Sequence, residues 1–362
     1  MSTDGHTVVD TDVHIWEPME DLVQYFEDPW KTRLERGWED FARRAFFPKS
    51  TGDRFVGGRL DRNVAGMDSS YPGEMRPEEI PEAMDYLGVD KCLVLSHLIL
   101  AAAPALGGDD TRMTTFASGA TDYLLDQVVD PSEGIYTAIP IPLDDPDDAV
   151  DLIDRVGDEA GIAGVYMITG GAEPPLGNRQ YEPVYRAAAE KDLTVCYHTS
   201  GAGIDNYHTK GYEKLIETHT LGFVENNFAQ AVSVLVQGIP EKFPELDFVF
   251  LEAGIFYVSL LMSRLDCEYL KRPSEAPVLE QRPSEYIKES FYFGTQPLET
   301  EVDPRYLETV IDMIGGAGRL MYASDYPHWD FDRPTRITDQ SFLSDAEKGR
   351  ILGANAEEVF GI

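Results

Sequence analysis

Within the apolar run Thr7–Pro18 (TVVDTDVHIWEP), Asp10, Asp12 and His14 recur at every second position. Their neighbours Val8, Val9, Val13 and Ile15 give the run the β-branched, buried character of a strand. A strand has a side-chain period of two, so the three polar groups are expected on one face. Buried there without partners, each would carry a heavy desolvation cost. A bound cation is the simplest partner for two carboxylates and an imidazole.

Three further apolar runs end on a residue of the same kind. His198 closes LTVCYH before the turn TSGAG, Glu252 closes LDFVFLE before Ala253-Gly254, and Asp325 closes RLMYASD before Tyr326-Pro327-His328. Taken singly, each reads as readily as a cap or a core side chain, Asp325 above all as a helix cap. Together, Asp12, His14, His198 and Asp325 offer two imidazoles and two carboxylates. That mix suits Zn²⁺, Mn²⁺ or Fe²⁺ better than Mg²⁺ or Ca²⁺, which favour all-oxygen cages. An open coordination position would lower the pKa of a bound water toward neutrality or take a chelating substrate. Around this set, Asp10 is assigned a supporting hydrogen-bonding role. Glu17 is read as either a mouth residue or a solvent-facing cap, and His328 as bordering the pocket. Trp16 and Trp329 are read as pocket walls or core packing. His97 has an ambiguous register, and His208 and His219 read as surface or pocket-wall groups.

The elements that must position these residues alternate. Strands are expected at Lys91–Leu98, Gly134–Pro142, Gly161–Thr169, Leu193–His198, Leu246–Glu252, Phe291–Phe293 and Arg319–Asp325, after the first at Thr7–Pro18. Helices are expected at Glu78–Leu87, Thr111–Val129, Asp144–Gly157, Tyr181–Lys191, Glu217–Gln237, Ile255–Leu270, Pro304–Ile314 and Asp345–Leu352, with a tail at Asn355–Phe360. Eight strands separated by helices imply parallel pairing and favour a (β/α)8 TIM-like barrel, whose sites lie at the C-terminal strand ends. A doubly wound sheet is the competing architecture, but no GxGxxG follows the first strand and no GxxxxGK[ST] occurs. Residues 1–362 are read as one barrel domain. Residues 19–77, rich in aromatic and charged side chains, are read as an insertion within it, either a lid or specificity segment or an oligomer arm.

DTDVH, HTSGAG, FLEAG with the following LLMSRLD, ASDYPHWD and the ending ILGANAEEVFGI together resemble the amidohydrolase superfamily. The branch they resemble is the amidohydrolase-related group that includes aminocarboxymuconate-semialdehyde decarboxylase. The resemblance runs from residue 7 to the end, weakest over 19–77. It implies a distorted (β/α)8 barrel, one divalent metal, and either hydrolysis or non-oxidative decarboxylation. By it, the opening HxH pair falls on Asp12 and His14, the strand-five ligand on His198 and the final aspartate on Asp325. The chain departs from the pattern twice: the first histidine of the pair is Asp12, and the strand-six histidine of the decarboxylases is Glu252. The second departure tilts the expectation toward a hydrolase in which Asp325 or Glu252 takes a proton from metal-activated water, with Zn²⁺ the first choice. The alternative is a decarboxylase of a small hydroxy-aromatic or unsaturated acid, with Glu252 or His328 as the acid. A non-catalytic ligand-binding barrel is the third reading.

Asp and Glu total 65 against 30 Lys and Arg, a formal net charge of −35. Only salt would screen repulsion of that size, so the composition resembles that of haloarchaeal proteins. Phosphate-binding basic patches are not visible, which argues against nucleic acid as a partner and leaves a small molecule. No run is apolar enough to span a bilayer, and a cytoplasmic location is expected, with homo-oligomerisation open. Cys92, Cys196 and Cys267 show no CxxC spacing and are expected as thiols.

Overall fold

The apolar runs become eight strands: β1 Val9–Ile15, β2 Lys91–Ser96, β3 Ile135–Pro140, β4 Ile162–Ile168, β5 Thr194–His198, β6 Phe248–Leu251, β7 Phe291–Gly294 and β8 Leu320–Met321. The computed structural model describes residues 5–32, 34–35, 75–97, 110–199, 215–300, 303–328 and 330–362. Most of segment 19–77, with Trp329 and His208, lies outside them. The strands pair in parallel in sequence order from β1 to β8, and the chain after β8 returns to β1. There Thr11 N–H donates to the Tyr322 carbonyl (3.0 Å), Asp325 N–H to Asp12 (2.9 Å) and His14 N–H to Tyr326 (2.7 Å). The result is the (β/α)8 barrel that the alternation implied. Regular strand geometry in β8 stops at Met321, well short of the expected Asp325: beyond it Tyr322 N–H donates to the Ile351 carbonyl (2.8 Å) and Asp325 turns to φ 63°.

Local chemistry sets the helices. Asp145 accepts from the backbone N–H groups of Asp147 and Asp148 and caps helix Pro146–Val156, which buries Ala149, Leu152, Ile153 and Val156 against the sheet. Between β5–β7 and their helices lies an aromatic layer. Phe248, Phe250, Phe291 and Phe293 stack with Tyr197, whose hydroxyl donates to that of Tyr185 in helix Glu182–Glu190 (2.8 Å). Burying rings of this size dominates the packing energy of such an interface. The end of the chain forms one helical run, Asp345–Gly349, a π turn at Arg350–Ala354 and Asn355–Phe360. It covers the barrel end opposite the candidate site, where Thr194, the first residue of β5, donates to the Val359 carbonyl. Cys92 and Cys196 are buried, Cys267 is exposed, and all three are free thiols. Among the described residues no helix is long and apolar enough to cross a membrane.

Candidate metal centre and active site

β1 does not present its three polar residues on one face. Its pairing with β2 shifts register between Asp10 and Val13, and such a bulge reverses the alternation downstream. Asp10 stands with Val13, Cys92 and Tyr326 beside a small cavity under helix Ile80–Leu87. Its Oδ1 accepts from Ser324 N–H (2.9 Å) and Asp12 N–H (3.2 Å), so it ties β1 to the chain after β8. Burial pushes the Asp10 carboxyl up to about 7. The sequence-based expectation of a shared face is corrected accordingly, whereas support for the neighbouring strand ends is what Asp10 provides.

Asp12 and His14 turn inward and meet His198 and Asp325. Asp12 Oδ1 lies 3.1 Å from His14 Nε2 and 3.2 Å from His198 Nε2, and Asp325 Oδ1 lies 3.2 Å from His14 Nε2. All four side chains are buried. His198 Nδ1–H donates to the Thr199 carbonyl (2.5 Å). That bond fixes the tautomer and leaves Nε2 as a lone pair aimed at a carboxylate oxygen. Among the described residues, both ring nitrogens of His14 and the second oxygen of Asp12 have no hydrogen-bond partner. Lone pairs facing carboxylates in a dry interior require a cation between them, and the donor set fits a divalent one. Without it a proton takes the role. Burial opposes the charge on His14, but Asp12 and Asp325 prevail and push its pKa up to about 10. Burial likewise opposes ionisation of Asp12, yet His198 and His14 hold it well below the usual range, and His328 and His14 do the same for Asp325.

Around this cluster the other expected residues fall into place unevenly. His328 Nδ1–H donates to Asp325 Oδ1 (2.5 Å) and its Nε2 lies 3.3 Å from His97 Nδ1. The Trp16 ring stacks on His97 at 4.1 Å, which places it beside His14 at one remove. Glu17 is buried and accepts from the Ser96 hydroxyl at the end of β2, so it is not a solvent-facing cap. Glu252 Oε2 lies 3.4 Å from His198 Nδ1. Glu252 and Asp325 both have positive φ, 57° and 63°. Side chains other than glycine rarely accept that conformation, and it recurs at sites where a function requires it. Glu252 also lines a cavity of about 200 Å³, with His219, Phe223, Val224, Gln296, Pro297, Glu299 and Asp330 among its other walls.

Two features carried no motif in the sequence. Tyr166 on β4 sits with its ring 5.5 Å from His198 and a buried hydroxyl that has no partner among the described residues. Helix Leu215–Val236 sends three amides under the strand ends. Asn227 accepts from Thr169 Oγ1 (2.9 Å) and donates to the Leu251 carbonyl (2.7 Å), Gln230 donates to the Thr169 carbonyl (3.2 Å), and Asn226 donates to Thr199 Oγ1 (3.2 Å). Thr169 in turn donates to the His198 carbonyl from its backbone N–H (2.8 Å) and its hydroxyl (3.2 Å). The signal in the sequence was the unusual run of uncharged amides in an otherwise apolar helix, ENNFAQAV.

The family model described as Amidohydrolase matches residues 9–362, almost the whole chain. The chain belongs to the amidohydrolase family. It is therefore an enzyme of that family, a hydrolase or a related carboxy-lyase. A gamma-resorcylate decarboxylase of Polaromonas sp. is 24% identical over 290 residues, covering 76% of this chain and 85% of the relative. Among solved structures, an amidohydrolase from Mycobacterium avium subsp. paratuberculosis superposes with a TM-score of 0.77 at 20% identity, covering 99% of this chain and 100% of that one. A dihydroxybenzoic acid decarboxylase from Polaromonas sp., solved with manganese and the inhibitor 2-nitroresorcinol, superposes with a TM-score of 0.66 at 18% identity over 98% and 97% of the two chains.

Proposed function

We propose that the protein is a metal-dependent, non-oxidative decarboxylase of a small hydroxy-aromatic acid. The observation that carries the reading is the junction at Glu252. Through Oε2, 3.4 Å from His198 Nδ1, Glu252 adjoins a buried cluster fit for a divalent cation, and it also lines a cavity of about 200 Å³, room for one substituted ring, since a cavity of about 150 Å³ holds benzene. The decarboxylase relatives support it. The sequence tilted toward hydrolysis because Glu252 replaces a histidine, and that order is now reversed.

Asp12, His14, His198 and Asp325 would hold the ion, with Zn²⁺ and Mn²⁺ the candidates. When bound, such an ion supplies charge for the substrate carboxylate and a neighbouring oxygen. The chain supplies the rest. The Thr199 carbonyl keeps His198 in the tautomer that presents Nε2, and Phe223, Val224 and Pro297 exclude water from the ring. As the ring–carboxyl bond breaks, CO2 leaves and the electron pair remains on the ring carbon. Glu252 lines the cavity, and its carboxyl delivers the replacing proton. His328, held to Asp325 at 2.5 Å, is the alternative acid.

The test is CO2 release from 2,6-dihydroxybenzoate-like acids by protein loaded with Mn²⁺ or Zn²⁺. Glu252→Gln should lower kcat by about 10²–10⁴-fold, the usual weight of general acid catalysis, with metal content unchanged. Turnover of esters, lactones or amides, with no CO2 from any hydroxybenzoate, would overturn the proposal.

A further inference from the structure

Tyr166 keeps a hydroxyl where a phenylalanine would pack without one. It stands on β4 opposite Cys196, and Ile168 stands opposite His198. Paired residues of neighbouring parallel strands point to the same side of a sheet. Tyr166 therefore faces the barrel interior with Cys196, one layer beneath the His198 imidazole. Its ring meets that imidazole edge to face at 5.5 Å, a contact that needs no hydroxyl. The residue is 1% exposed, and among the described residues its hydroxyl has no hydrogen-bond partner. An unpaired buried hydroxyl is a standing cost that phenylalanine avoids. Burial first, and the Asp12 charge second, push its pKa well above that of a free phenol, so it stays a donor. The same dry interior holds an acceptor in the complementary condition. Asp12 Oδ1 lies 3.1 Å from His14 Nε2 and 3.2 Å from His198 Nε2. Asp12 Oδ2 is also buried and has no partner among the described residues.

We infer that Tyr166 is a positioning residue whose hydroxyl donates to Asp12 Oδ2 in the metal-loaded protein and so holds Oδ1 in place as the ligand atom. The inference rests on the metal-dependent reading and is indifferent to which reaction the centre serves. A histidine ligand is oriented through its second ring nitrogen, as His198 is by the Thr199 carbonyl at 2.5 Å. A carboxylate has a second oxygen in that place, and it needs a donor there to keep one oxygen presented. Asp12 stands where the HxH pair has its first histidine, so this chain carries that need, and Tyr166 brings the donor.

Two measurements on the full-length Tyr166→Phe protein test this together: urea unfolding without metal, and Zn²⁺ affinity by competition with a coloured chelator. Without metal the variant should unfold at the wild-type urea concentration or a higher one, because only an unpaired hydroxyl is gone. Its Zn²⁺ affinity should nevertheless fall at least about tenfold, as for a lost support of a metal ligand. Asp12→His supplies the second background. There Tyr166→Phe should change Zn²⁺ affinity by less than about threefold, since no carboxylate remains for the phenol to hold. A tyrosine kept for packing alone would lower the urea midpoint of the metal-free protein. That result, or failure of the variant to fold, overturns the inference. So does unchanged Zn²⁺ affinity, or an equal loss in both backgrounds, and in each of these cases the metal-dependent reading stands. A wild-type chain that binds neither Zn²⁺ nor Mn²⁺ overturns both.

Discussion

Asn227→Ala isolates what the buried amides do. Asn227 bridges β4 and β6 beneath the metal cluster, accepting from Thr169 Oγ1 at 2.9 Å and donating to the Leu251 carbonyl at 2.7 Å. Truncation leaves the Leu251 carbonyl without this donor, at roughly 1–3 kcal/mol, and leaves the Thr169 hydroxyl only its longer contact to the His198 carbonyl (3.2 Å). The expected loss is about 2 kcal/mol, read by urea unfolding of the metal-free protein. A second effect follows from position. Thr169 holds the His198 carbonyl, and Leu251 precedes Glu252, so the variant should loosen the metal ligand and the proton donor together. Metal affinity, measured by competition with a coloured chelator, should fall about 10–100-fold, as for lost supports of other metal ligands. Asn226→Ala serves as the comparison, because Asn226 donates to Thr199 Oγ1 alone at 3.2 Å and should cost less on both counts. An Asn227→Ala protein within about 1 kcal/mol of wild type and with unchanged metal affinity would refute the idea that this helix positions the site.

Other expectations are direct. His198→Ala should abolish stoichiometric metal in elemental analysis, and unchanged content would remove His198 from the ligand set. The pKa of His14 lies near 10 in the metal-free cluster, so an incoming cation must expel a proton. Affinity should therefore strengthen about tenfold per unit rise in pH between about 6 and 9, and a flat profile would contradict that competition. Asp332 is buried, and burial raises its carboxyl to about 6 from 3.8. A raised folded pKa gives stability that is complete below about 4 and lost as pH rises through about 6, a span of roughly 3 kcal/mol. Asp332→Asn should flatten the stability profile over that window, and parallel profiles would reject the assignment. With a net charge of −35, unfolding midpoints should climb from dilute buffer to molar KCl; equal stability in both would reject the salt-adapted reading.

The barrel was legible because parallel strands buried on both faces write themselves as apolar runs of limited length, and helices interrupt them at regular intervals. The cluster was legible because His198 and Asp325 each follow such a run, where a barrel strand delivers its last side chain to the mouth. The position of Asp10 was not. A bulge leaves no mark on composition, so strict alternation put Asp10 with Asp12 when the shifted register takes it to the outer side. The amides of helix Leu215–Val236 escaped for a related reason. An asparagine reads as a surface residue until the carbonyl it satisfies, here Leu251, is brought beneath it by another strand.

The seam between β1 and the chain after β8 sets the order in which the protein can come alive. Asp12 and His14 belong to the first strand made, and Asp325 to the chain after the last, joined by Asp325 N–H on the Asp12 carbonyl and His14 N–H on Tyr326. During synthesis the early ligands must wait, without their partner, for nearly the whole chain to emerge. Contacts so distant in sequence form late, because closing the ring costs chain entropy that local pairing does not. An interrupted or half-folded chain therefore lacks a complete cage for the ion, and uptake of metal becomes a certificate that the ring has closed.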